Sequence, residues 1–240
     1  LSLLLAVLGR GILCPHFLPT EDIEVCDNKF AHRSVAISPD DDHPNCIVGG
    51  SSLNLEAAHL LIWEHNPDVI VCAYGGRSPY LVSSDAPSES EVMTAALREQ
   101  LEQLAVDYTG DSRPWLNCTR PEFVVWPKDR PTPEGTRSNA LQELINIFEL
   151  ALERGVKAVT IVTVTVQVPR VTLFANNHRR RRPEFQRLTV GTISSEEVLM
   201  DHDARRYAPR VAALFASKAF ARTAKLEERG ISDFLAGKYQ

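Results

Sequence analysis

Val159-Thr160-Ile161-Val162-Thr163-Val164-Thr165-Val166-Gln167-Val168-Pro169-Arg170 is the stretch whose reading decides the fold. A β-branched run without a charge reads as a strand buried on both faces, the signature of a parallel sheet. The strand is predicted over Lys157 to Thr165. It then gives way to polar residues, a proline and an arginine, and in an open α/β sheet the crevice outside the carboxyl ends of the strands is where ligands bind.

Working outward, four further strands are predicted. Leu3 to Leu8 breaks into Gly9-Arg10-Gly11, Val69 to Ala73 runs into Tyr74-Gly75-Gly76-Arg77, Phe123 to Trp126 is the third in order, and Leu188 to Ile193 the last. Helices fall between them. One runs from a cap at Ser52 to His65, where Asn66-Pro67 ends it. Ser88 and Glu91 form a capping box for a second, with Met93, Leu97, Leu101 and Leu104 at helical spacing to about Asp107. Thr136 caps a third, whose apolar stripe is Ala140, Leu144, Ile147, Phe148, Ala151 and Leu152 and which closes at Gly155. A short helix follows Pro169 to about Asn177, Arg179 to Arg182 form a solvated loop, and a final helix starts near Pro209 and ends at Gly230. This alternation predicts an α/β, doubly wound, mainly parallel sheet of about five strands with helices on both faces. The 240 residues are expected to form one domain, with an insertion or lid at 14–50 and a C-terminal helical segment at 204–240.

The order of these loops resembles the YdcF-like superfamily, also called the ElyC/SanA/YdcF family. Leu8-Gly9-Arg10-Gly11, Tyr74-Gly75-Gly76, Ser88-Glu89-Ser90-Glu91-Val92-Met93, Gly135-Thr136-Arg137-Ser138-Asn139, and Val162-Thr163 leading to Gln167-Val168-Pro169-Arg170 carry the likeness, over roughly residues 3 to 178. The resemblance implies a Rossmann-like fold and an association with envelope-related metabolism. Three positions depart from the family pattern. Gln167 stands where that pattern has histidine, Tyr74 where it has serine, and Gly135 where it has asparagine. Glutamine does not exchange a proton near neutral pH and histidine does, so a non-catalytic binding or regulatory role stands beside an enzymatic one.

The candidate site is therefore the convergence of Gly9, Arg10, Gly11, Gly75, Gly76, Arg77, Ser88, Glu89, Thr136, Asn139, Thr163, Gln167 and Arg170, with Glu89, Gln167 and Arg170 as candidates for chemistry. Glycines admit backbone N–H groups to an anion, and helix starts at Ser88 and Thr136 add donors and a favourable dipole. Arg77 and Arg170 offer planar forks to phosphate or carboxylate. Glu89 accepts from a hydroxyl or amine, and Asn139 orients either kind of group. The expected partner is a small anionic molecule: a nucleotide, a phosphorylated sugar or S-adenosylmethionine. Gly9 and Gly11 also read simply as a turn, and Ser88, Glu91 and Thr136 simply as caps.

The remaining features narrow the class. A net charge of −5 gives no global attraction to nucleic acid or anionic membrane. Five cysteines without CxxC spacing argue against a disulfide scaffold and a zinc ribbon, and fit a reducing, cytoplasmic compartment. Asp201-His202-Asp203 and Asp40 to His43 lack metal-ligand spacing and read as surface loops, so no metal is expected. Leu1 to Leu8 is too short to span a bilayer. The chain begins without methionine, which leaves an upstream anchor or targeting segment open, and the oligomeric state is not legible.

Overall fold

The computed structural model describes residues 2–9, 51–74, 88–107, 121–126, 128–129 and 140–238. The predicted insertion at 14–50, the caps assigned to Thr136 and the loops around Gly75 lie outside them. In chain order the elements are β1 (Leu3–Val7), α1 (Ser51–His65), β2 (Val69–Cys72), α2 (Glu89–Asp107), β3 (Glu122–Val124), α3 (Ala140–Glu153), β4 (Ala158–Thr163), α4 (Val168–Arg181), β5 (Thr189–Ser194), α5 (Ser195–Ala216) and α6 (Lys218–Leu235). The strands form a parallel sheet in the order β3-β2-β1-β4-β5. β1 is central, with Leu5 opposite Ile70 on one side and Thr160 on the other.

Period-2 alternation explains both cores. Leu4, Ala6 and Leu8 pack with Ile147 and Phe148 of α3 and Val171 and Phe174 of α4. Leu5 and Val7 point the other way, to Leu53 and Leu61 of α1, Met93 and Leu97 of α2, and Leu199 of α5. Helices thus cover both faces, as the buried β-branched strands require. The strand order reverses between β1 and β4, with β2 and β3 added on one side of β1 and β4 and β5 on the other, so the carboxyl ends of β1 and β4 open a crevice at the topological switch point.

The other strand ends shift by one or two residues, and three changes are larger in consequence. β4 stops at Thr163, two residues early, because Thr165–Gln167 turn as a 3₁₀ helix that runs directly into α4, with Pro169 in its first turn. α4 also continues through Arg181, so Arg179 to Arg181 lie on its last turn and not in a loop; cations there complement the helix dipole. Arg182, just beyond, bonds Glu149 and Glu184, each at 2.7 Å. The largest change is at the C-terminus, where one predicted helix is two. Ser194 caps α5 by accepting the Glu197 N–H at 3.1 Å, and the helix bends at Asp203, which accepts the Arg206 N–H. Asp201 and His202 are accordingly helical and exposed rather than a loop, Asp203 forms the exposed kink, and Pro209 lies inside α5. Ser217 caps α6, and Gly230 sits within that helix, not at its end. No described helix is long and apolar enough to cross a membrane.

Candidate functional site

The crevice is built from chain segments that leave the carboxyl ends of three strands. Leu8 and Gly9 follow β1, held by the Leu8 N–H to Val162 carbonyl bond and by Asn54 of α1, whose Nδ2 donates to the Leu8 carbonyl at 2.9 Å. Ala73 follows β2 with φ +45°, in the left-handed region. β4 leads through the 3₁₀ turn to Gln167 and Arg170. Glu196 braces this turn: its buried carboxylate accepts the Thr165 N–H at 2.8 Å and the Thr165 hydroxyl at 3.1 Å.

α2 and α3 bring the carboxyl groups. The capping box forms as predicted: Ser88 Oγ accepts the Glu91 N–H at 3.1 Å, and Glu91 Oε2 accepts the Ser88 N–H at 2.6 Å. Ser88 Oγ donates to the Trp126 carbonyl, and Ser90 Oγ accepts the Trp126 N–H at 3.0 Å. These bonds lock the start of α2 to the segment after β3. With Ser88, Glu89 and Glu91 there already, that helix start is answered by the chain's own acceptors and carboxylates, with Ser88 as its cap.

A cavity of about 140 Å³ opens here, lined among the described residues by Leu8, Gly9, Ala73, Glu89, Ala140, Glu143, Gln167 and Arg170. Of the sequence-predicted residues, Gly9, Glu89, Gln167 and Arg170 therefore come together. Thr163 stands behind them, fully buried, and Arg10, Gly11, Gly75, Gly76, Arg77, Thr136 and Asn139 lie outside the described residues. Gly9 is required by close approach. A Cβ there would overlap the Glu89 carboxyl and come within 2.9 Å of the Ala73 Cβ.

Arg170 is not the open fork that the sequence suggests. Its Nε lies 2.6 Å from Glu227 Oε2 and its Nη2 donates to Glu227 Oε1 at 2.9 Å, with 16% and 7% of the two side chains exposed. Gln167 is bracketed as well. Its Oε1 accepts from Thr163 Oγ1 at 2.5 Å, and its Nε2 donates to Glu227 Oε1 at 3.3 Å. Glu227 comes from α6, which thereby holds Gln167 and Arg170 from behind the cavity lining. Gly230 lets α6 approach, since a Cβ at that position would lie 3.1 Å from the Arg170 side chain.

Glu143 is the residue that sequence reasoning missed. Burial first, and then the charge of Glu89, push its carboxyl up to about 8, although the Tyr74 backbone N–H pulls the other way. Its Oε1 is sealed from solvent and has no hydrogen-bond partner among the described residues. The signal was an acidic residue at i+3 from Ala140, beside Leu144, on a stripe otherwise apolar. Glu227 gave no comparable signal, being 57 residues from Arg170. No group of three or more metal-capable side chains occurs among the described residues.

No protein-family model, curated protein or solved structure matches the chain, so the site's own chemistry carries the functional argument.

Proposed function

We propose that this chain is a YdcF-like protein that binds a small phosphate-bearing or nucleotide-like ligand in the crevice at the carboxyl ends of the strands. The observation that carries the reading is a polar cavity at the switch point between β1 and β4, where doubly wound folds take their ligands. The described lining divides the labour. Arg170 is neutralised by Glu227, so the anionic end of the ligand is assigned to the glycine loops Gly9 to Gly11 and Gly75 to Arg77 that follow β1 and β2. Glu89 and Glu143 face its hydroxyl or amine groups. Thermal stabilisation of the purified chain by nucleotides, sugar phosphates and S-adenosylmethionine tests this, since a ligand at a hundred times its dissociation constant adds about 2.7 kcal/mol. A selective shift that is lost in Gly9→Val supports the crevice; a panel with no shift rejects it.

A second reading, binding without turnover, is favoured by Gln167. Both ends of its amide are committed to Thr163 and Glu227, so it serves as a bracket and not as a proton carrier. Turnover of any panel member by the unmodified chain counts against this reading, and turnover that appears only in Gln167→His counts for it.

A further inference from the structure

We propose that Glu89 and Glu143 share one proton and act as the proton-exchanging group of the crevice, and that the ligand group they face is a neutral hydroxyl. The ligand half rests on the reading above; the shared proton does not. Both glutamates line one cavity, each from a different helix. Two carboxyl groups that sense each other across a site of low dielectric do not both ionise, and the deeper one keeps the proton. Glu143 is the carboxyl on which burial acts: its Oε1 is sealed and unpartnered among the described residues, and burial raises its proton affinity more than Glu89 does.

Among the described residues, the surrounding groups do not undo this. Arg170 of α4 is held by Glu227 of α6. The Cys72 thiol of β2 is pushed up to about 12 by burial and stays neutral. His178 of α4 faces the Leu141 carbonyl of α3, and burial lowers its proton affinity, so it adds no fixed cation. The Tyr74 N–H supplies a dipole to the Glu143 carboxyl, smaller in effect than burial or Glu89.

A carboxylic acid beside a carboxylate is one donor beside acceptors. A ligand hydroxyl matches both at once, donating to Glu89 and accepting the Glu143 O–H, with no bond broken and no net proton moved. An ammonium group could pair with Glu89 but has no lone pair to accept the Glu143 O–H. The pair also supplies at neutral pH the proton exchange that Gln167 cannot.

Infrared spectra of the ligand-free chain test the shared proton. The stretch of a protonated carboxyl is expected at pH 7, fading as pH rises through about 8. Glu143→Gln should remove it, and Glu89→Gln should keep it while lowering its midpoint by about one pH unit or more, the size of a close like-charge effect. A Glu143 raised by burial alone would also lose the band in Glu143→Gln but would keep its midpoint in Glu89→Gln. No such band, or a midpoint indifferent to Glu89→Gln, overturns the proposal. Calorimetry with ribose 5-phosphate then tests the hydroxyl. Affinity that falls above about pH 8 in the wild type and not in Glu143→Gln supports it, and affinity that rises with pH overturns it. No binding of this probe beside an intact titrating band overturns the hydroxyl ligand and leaves the shared proton standing, while the crevice reading falls only if the whole ligand panel also gives no thermal shift.

Discussion

Glu227→Ala should unlatch α6 from the crevice. The substitution removes the buried ion-pair partner of the Arg170 guanidinium, whose side chain is 16% exposed, and the acceptor of the Gln167 amide. Breaking a buried ion pair from one side costs about 3–5 kcal/mol because the remaining charge stays desolvated, and the lost Gln167 bond adds about 1 kcal/mol. For a chain of this size each kcal/mol lowers Tm by about 2–4 °C, so a fall on the order of 10 °C is expected. Urea melts of Glu227→Ala, Arg170→Met and the double variant measure it. Because the charge that loses its ion-pair partner in one change is removed by the other, the double variant should cost less than the sum of the singles by about 1–3 kcal/mol. A cost of Glu227→Ala below about 1 kcal/mol, or singles that add within about 0.5 kcal/mol, would refute the reasoning. Hydrogen exchange should place the weakened amides of Glu227→Ala in α6 and in the turn at Thr165–Gln167, leaving those of β1 protected.

Glu143 sets a second test through pH. Its carboxyl titrates at about 8 when folded against an ordinary 4.5, so between those values the folded chain holds a proton that the unfolded chain has released. Stability should fall as pH rises across that window, by at most about 1.4 kcal/mol per unit, and level off above it. Glu143→Gln should flatten this fall and be the more stable form at pH 8.5, read from urea midpoints; a profile parallel to the wild type counts against the buried carboxyl. Gly9→Ala should cost about 1–3 kcal/mol by overpacking, since its Cβ meets the Glu89 carboxyl and the Ala73 Cβ; a neutral thermal melt would mean that the two do not meet. Ser88→Ala should cost about 1–2 kcal/mol, losing the cap of α2 and leaving the Trp126 carbonyl without its donor; a loss below about 0.5 kcal/mol, under the usual range for a cap, would deny the cap.

The fold was legible because its signals are local. Val159 to Thr163 carries no charge and alternates between two cores, so its burial on both faces could be read without knowing its neighbours. The Ser88–Glu91 box and the Asn66-Pro67 stop are likewise contained within four residues. Where the reading failed, a distant partner had overridden a local rule. Gly230 reads as a helix end until Arg170 is seen against it, and Pro209 reads as a helix start until Ser194, fifteen positions earlier, is seen to cap α5.

The same contrast explains the site. Glycines and an arginine after a strand are recognisable by position, yet what Arg170 does is decided by Glu227, on a helix that no loop motif anticipates. With that pairing Arg170 changes from a ligand fork into part of the wall, and Gln167 changes with it, because Glu227 Oε1 accepts from both. Reading residue 167 against a family histidine asks whether proton chemistry was lost. The geometry moves the question to the other side of the cavity, where Glu143 lies among apolar neighbours and beside Glu89. A carboxyl so placed is costly to ionise, and the proton that avoids this cost is the one the crevice can exchange. The acid–base capacity of the site thus turns on a residue of α3 that the apolar stripe conceals.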